Sequence, residues 1–275
     1  MRIRDDLDCE VTAVDRVTAD IVELTLVPRC EEPLDFLPGQ YVLLEDAGHT
    51  LAPRSYSIAN APRPDGELTL LVTRVAGGRL TTWIHDRLEP GGRISIGGPY
   101  GTFTDESGSG EPERPTLYLA AGSGLAPIRS LLEARLDRLP DGPGRAGPAG
   151  PGATTLIFSA RTEADLIDRD RFTSLASRHD RFRYIRTLTR EPGPGPHGRI
   201  PGLIESLCGD LSGHRVFIAG SPGFVSACAT AVTAAGVPAG EVRTEVFFVE
   251  PRPWGEGSPS DRPARPAPDR SGKEP

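Results

Sequence analysis

The sequence predicts two domains in tandem, an antiparallel β-barrel followed by an α/β domain built on a parallel sheet. Three observations predict it. The first hundred residues read as short strands separated by turn residues, a spacing that favours a closed antiparallel barrel over an open sheet. A polar stretch rich in Ser, Gly, Glu and Pro, residues 105–115, then breaks the pattern. Beyond it, buried strands alternate with helical segments, as in a parallel sheet covered on both faces. The expected boundaries are 1–108 for the barrel and 115–250 for the α/β domain. Residues 251–275 form a Pro/Arg-rich tail too polar to bury a core, expected to be disordered.

In chain order, residues 21–27 mix alternation with β-branched positions, and Pro38-Gly39 punctuates the approach to a strand at 40–44. Strands follow at 68–75 and 93–96, with a helix at 81–88 between them that ends before Pro90-Gly91-Gly92. In the second half, 116–121 is a buried strand, a glycine turn follows, and 126–139 has helical apolar spacing. Further strands are expected at 155–159, 182–188 and 216–219, and helices at 169–177, 202–207 and 223–235. Residues 140–152 are nearly all Pro, Gly and Ala and read as a surface loop.

Composition narrows the function classes. Hydrophobic residues are 37% of the 275, and 32 Gly with 28 Pro place much of that deficit in loops and tail. A formal net charge of −7 argues against a general nucleic-acid binder, which needs a basic face. No apolar run approaches a membrane span, and Met1-Arg2-Ile3-Arg4-Asp5-Asp6 has no secretory core. A cytoplasmic protein with no membrane partner is expected. Cys9, Cys30, Cys208 and Cys228 lie far apart without a Cys-x-x-Cys pair, so they read as reduced packing thiols with no bound metal.

Two short motifs carry the chemistry. Arg54-Ser55-Tyr56-Ser57 offers a cation, an aromatic face and a hydroxyl, which suit a flavin's phosphate, ring and N5. Pro38-Gly39-Gln40-Tyr41 precedes it and Gly97-Gly98-Pro99-Tyr100-Gly101 follows. Between them, Gly77-Gly78 leads into a helix expected to be capped by Thr81, an end whose N–H groups bind phosphate. Ala121-Gly122-Ser123-Gly124-Leu125-Ala126-Pro127 follows an apolar strand and starts a helix, the shape that holds a pyrophosphate. Near the end, Phe217-Ile218-Ala219-Gly220-Ser221-Pro222 repeats the strand–glycine turn–helix plan.

In this order the motifs resemble the ferredoxin–NADP reductase superfamily, whose members include the reductase modules of bacterial oxygenases. The resemblance spans residues 8–248. It implies that the barrel binds FAD rather than FMN, and that the α/β domain binds NADPH or NADH. Arg54, Tyr56 and Ser57 would be flavin ligands, with Val72 and Arg74 lining the cofactor and Gly77, Gly78 and Thr81 holding its pyrophosphate. Gly122, Ser123, Gly124 and Pro127 would contact the nicotinamide dinucleotide, with Gly220 and Pro222 forming the wall beside it. Ser159 and Arg161, with Arg190, sit where relatives bind the adenosine ribose, and two arginines would suit a 2′-phosphate. Ser57 near N5, Glu245 assisting proton movement and Phe247 shielding the ring are the catalytic candidates.

Three departures accompany the resemblance. Ala219 stands where many relatives carry cysteine, the chain runs about 27 residues past Phe248, and no Cys-x4-Cys-x2-Cys spacing marks a fused [2Fe–2S] domain. The expected partner is therefore a separate ferredoxin or oxygenase component that takes electrons singly. A reductase of small acceptors, flavin or quinone, would use the same residues. A flavin-carrying subunit not reduced directly by NAD(P)H is the third reading, and Trp254 either stacks on the adenine or lies in a loose tail.

Overall fold

The structure, a computed structural model, describes residues 3–30, 32–105, 114–138, 152–193 and 195–247. The first half is a nearly closed barrel of β1 (Arg4–Arg16), β2 (Ile21–Pro28), β3 (Tyr41–Asp46), β4 (Arg54–Ser57), β5 (Leu68–Thr73) and β6 (Arg93–Tyr100). The strands run in the order β4-β3-β6-β1-β2-β5, with every pairing antiparallel. The edges approach each other just past β4, where Ile58 bridges Leu70 and the Ala59 N–H donates to the Thr69 carbonyl at 2.8 Å.

Period-two alternation fills the interior. Leu7, Cys9 and Val11 of β1, Val22, Leu24 and Leu26 of β2, and Leu68, Leu70 and Val72 of β5 all point into one core. Helix α1 (Arg79–Arg87) plugs one end with Leu80 and Ile84, and Leu88 follows it into the same core. Strand β1 is absent from the sequence expectations. Its acids Asp5, Asp6, Asp8 and Glu10 mask an apolar alternation that is nevertheless present.

The second half is a parallel sheet of β7 (Thr116–Ala121), β8 (Thr154–Ala160), β9 (Phe182–Leu188), β10 (Arg215–Gly220) and β11 (Val242–Val246), in the order β11-β10-β7-β8-β9. Alternate residues of β7 and β10 feed opposite faces: Tyr118 and Phe217 pack under α2 (Leu125–Leu136) and α3 (Arg169–Arg178). Leu117, Leu119, Val216 and Ile218 face α4 (Ile204–Cys208) and α5 (Pro222–Ala234) instead. The single helix expected at 202–207 is a 3-10 turn, Ile200–Gly202, followed by the short α4. Pro201 lies in the first positions of that turn, where its missing N–H leaves no helical bond unmade.

The halves share a core. Ile21, Ala59, Leu71 and Phe103 from the barrel side join Ile128, Leu131, Phe158 and Ala219 in one buried cluster. The expected boundary between 108 and 115 falls mostly outside the described residues, as do most of the 140–152 loop, Phe248, the 251–275 tail and Trp254. Among the described residues no helix is long and apolar enough to cross a membrane. All four cysteines are free, and burial pushes the Cys9 and Cys228 thiols up to about 12, as befits packing groups.

Candidate functional site

Topology places the site before any residue is considered. The chain moves from β7 to β8 on one side and later to β10 on the other, so the crevice lies above the carboxyl ends of β7 and β10. Gly122 follows β7 there and Gly220 ends β10. A Cβ on Gly124 would lie 2.4 Å from the Ala219 carbonyl oxygen and 2.8 Å from Gly220 Cα, so only glycine lets the turn sit against β10. Gly122 is the opposite case, exposed at φ +56 with open space around the position of a Cβ. Ser123 is half-buried and Pro127 is buried in the first turns of α2, a helix without a side-chain cap.

The barrel offers a second glycine-led helix. Gly77 is exposed at φ +73 with open space beside it. Helix α1 starts at Arg79 with Gly78 as its cap residue, which corrects the expectation that Thr81 caps it. Thr81 is one turn inside: its Oγ accepts from the Val75 N–H at 3.2 Å and donates to the Gly78 carbonyl at 3.1 Å. The hydroxyl therefore braces the turn, and the helix end is left without a side-chain cap.

Strand β4 carries its four motif residues in alternation. Tyr56 is half-buried with part of its ring against the barrel core, and burial raises its phenol well above the ordinary range. Ser57 is 3% exposed and pairs with Tyr41 across the ladder. Arg54 is exposed, its guanidinium bonded to the neighbouring Pro53 carbonyl at 2.9 Å. Val72 is turned into the barrel core, and its carbonyl receives His85 Nε2 at 3.0 Å. Arg74 pairs with Asp86 at 2.7 Å.

Asp20 is one point at which the two halves meet. The Asp20 carbonyl accepts the Arg74 N–H at 2.7 Å, while its carboxylate holds Arg161 at 3.2 Å. Arg161 also lies 3.5 Å from Asp165, so two carboxylates engage it. Arg190 is tied beside it by its own N–H on the Arg161 carbonyl at 2.9 Å. Among the described residues no ion pair engages the Arg190 side chain, which is exposed, and Ser159 lies buried one strand-end away on β8. At the other edge, the Phe247 N–H donates to the Gly220 carbonyl at 2.8 Å, and Phe247 packs on the shared core. Glu245 stands in register with Ala219, and burial pushes its carboxyl up to about 7. Pro222 opens α5 at the surface.

Comparison with known proteins identifies both halves. A family model described as an oxidoreductase FAD-binding domain matches residues 8–104, and an oxidoreductase NAD-binding domain matches 118–230. The ferredoxin–NAD(P)+ reductase component of the naphthalene 1,2-dioxygenase/salicylate 5-hydroxylase systems of a Ralstonia species is 30% identical over 243 residues, covering 86% of this chain and 68% of that one. The chain belongs to the ferredoxin–NADP reductase superfamily.

Ferredoxin–NADP reductase B of Sorangium cellulosum is 41% identical over 183 residues, 63% of this chain and 68% of that protein. The solved cytochrome P450 reductase GcoB of Amycolatopsis superposes with a TM-score of 0.78 at 30% identity, covering 89% of this chain and 70% of that one. This superfamily member is an NAD(P)H-dependent flavoprotein reductase that uses FAD. The residues present fit those groups: each half offers an uncapped helix start behind an open, positive-φ glycine, a cradle for phosphate oxygens.

Sequence reading missed the residues that join the two halves, Arg129, Asn60, Asp20 and Asp168. The one available signal was Arg129 itself, a charge between Ile128 and Leu132 on the apolar face of α2.

Proposed function

We propose that this reductase draws electrons from NAD(P)H through FAD and passes them singly to a separate protein, a ferredoxin or an oxygenase component. The observation that carries the reading is the meeting of the two halves: β5 of the barrel runs beside the Gly122–Gly124 turn at the switch point of the parallel sheet. The relatives named as reductase components of dioxygenase systems support the choice of a protein acceptor.

Arg54, Tyr56, Ser57, Val72, Arg74, Gly77, Gly78 and Thr81 form the FAD site in this proposal, and Gly122, Ser123, Gly124, Pro127, Gly220 and Pro222 the dinucleotide crevice. When bound, FAD accepts two electrons with a proton from the nicotinamide and releases them one at a time. The chain's own work is placement and proton handling. Ser57, buried at the end of β4 two residues before Ala59 of the shared core, would hydrogen-bond near the flavin N5. Glu245, with its carboxyl near 7, gives or takes a proton at neutral pH. Phe247 closes the crevice against water from the edge of β11. Arg190 is the residue that would read a 2′-phosphate, since Arg161 is already neutralised by Asp20 and Asp165. A cytoplasmic setting, where NAD(P)H is supplied and thiols stay reduced, suits the four free cysteines.

The test is anaerobic mixing of the FAD-loaded protein with NADPH or NADH, followed by addition of an oxidised ferredoxin. Bleaching of the flavin band and its recovery on ferredoxin are the expected results. An unbleached band would leave only a carrier subunit, and recovery with dye or quinone but no ferredoxin would favour a small-acceptor reductase.

A further inference from the structure

Helix α2 leaves the nucleotide turn directly and carries three side chains to one short segment of the barrel. Arg129 Nε donates to the Ala59 carbonyl at 2.6 Å, Ser130 Oγ donates to the Asn60 carbonyl at 2.7 Å, and Glu133 accepts the Ala61 N–H at 3.0 Å. Ala59 is two residues past Ser57 on the chain that continues β4. Arg129 is five residues past Gly124. The proposed flavin strand and the nucleotide turn are thus joined by one turn of helix, one guanidinium and two residues of extended chain.

The joint is built to resist movement. Arg129 is 2% exposed, and its Nη1 lies 2.5 Å from Glu23 on β2 and 2.8 Å from Asp168, while Nη2 donates to Thr69 Oγ on β5 at 3.1 Å. One planar fork therefore engages β2, β5, the post-β4 segment and the loop before α3, a geometry that lysine cannot reproduce. Asp168 reaches it from a left-handed backbone at φ 55, an uncommon state for aspartate. The receiving segment is itself braced. Asn60 Nδ2 donates to the Ala61 and Glu67 carbonyls at 2.9 Å each, and its Oδ1 accepts the Thr69 N–H at 2.7 Å.

We propose that Arg129 is a positioning residue that sets the separation of the flavin strand from the nucleotide turn, and so the alignment of the two rings when both are bound. The inference rests on the proposed assignment of β4 to FAD and the Gly122 turn to the nicotinamide. Alignment within a fraction of an ångström governs the rate of transfer between bound partners far more than it governs the binding of either one. Loss of the fork should therefore appear in the rate and not in affinity.

The experiment compares Arg129→Lys, Ser130→Ala and the parent as FAD-loaded full-length proteins, by backbone hydrogen exchange without nicotinamide and by the rate of flavin bleaching with it. Exchange should rise together at residues 59–61 and 122–130 in both variants. Bleaching per bound FAD at saturating NAD(P)H should slow by about tenfold or more in Arg129→Lys, with the KM changed less than about twofold. Exchange that rises in only one half, or wild-type bleaching per bound FAD, would overturn the positioning role. Should Arg129→Lys fail to fold, Ser130→Ala, which keeps the buried charge pairing intact, must still show the coupled exchange and a smaller slowing. A parent protein that neither nicotinamide bleaches would instead overturn the cofactor assignment, and this inference with it.

Discussion

Each half of the molecule opens a helix behind two glycines, yet the glycines are needed for different reasons. In both pairs the first, Gly77 or Gly122, has positive φ and open space beside it. In both pairs the last, Gly78 or Gly124, is required by a close approach. The difference lies in what each meets. A Cβ on Gly78 would press on Thr81 Oγ at 2.7 Å, a side-chain atom that can rotate, with Val75 at 3.1 Å behind it. A Cβ on Gly124 would strike the Ala219 carbonyl, backbone of a central strand that cannot give way. The flavin-side turn is thus held by a side chain, whereas the nucleotide-side turn is held by the sheet.

That contrast gives the largest expected effect. Gly124→Ala should destabilise the FAD-loaded protein by about 3 kcal/mol or more, because β10 or the turn must move to admit the methyl group. Gly78→Ala should cost about 1 kcal/mol, the loss of the Thr81 hydroxyl bonds. Denaturant midpoints at matched protein and FAD concentrations measure both, and equal losses would break the comparison.

How far the sequence could show this varies by element. Strand β9 and strand β7 are read at their observed bounds, because each is a compact β-rich run with polar or turn residues on both sides. Strand β1 escapes because five acids share its length with the inward Leu7, Cys9 and Val11. The two glycine-led helix starts were legible because glycine before a helix is a local signal. The joint between the two halves was not: Arg129, Asp20, Asn60 and Asp168 come from segments far apart in the chain, and each alone reads as an ordinary polar residue. Thr81 shows a subtler limit. A threonine near a helix start signals a cap, but the helix begins two residues earlier and turns the same hydroxyl into a brace.

The strand that Gly124 abuts leads to the next effect. Ala219 on β10 stands beside Glu245 on β11, whose carboxyl burial raises from 4.5 to about 7. The folded state therefore holds its proton at pH values where the unfolded chain has already lost it. Stability from this group is undiminished below about pH 4.5, falls as pH rises towards 7, and stays lower above that. Glu245→Gln should stabilise the protein by about 2 kcal/mol at pH 8, after allowance for partial exposure, and leave it unchanged at pH 4. Denaturation at the two pH values checks this. A gain of equal size at both would assign the effect to packing, and the edge of the sheet would then be no more polar-sensitive than the barrel.

The smallest effects separate the two open glycines. At Gly77 and Gly122 a methyl group meets no protein atom, so alanine costs only the left-handed backbone, about 1 kcal/mol in each case. Stability cannot tell the two sites apart, but ligands can. The added methyl group enters the space where each cradle would receive phosphate oxygens. Gly77→Ala should weaken FAD by about tenfold while the KM for NAD(P)H stays near the parent value, and Gly122→Ala should do the reverse. Flavin retention on dilution and steady-state kinetics with saturating FAD provide the two readings. A crossed result, with Gly122→Ala releasing flavin, would mean that the turn held by the sheet serves the barrel's cofactor. The sharp division between a side-chain-braced flavin turn and a sheet-braced nucleotide turn would then describe packing alone, because the sheet's rigidity matters to the nicotinamide only if that turn is where it binds.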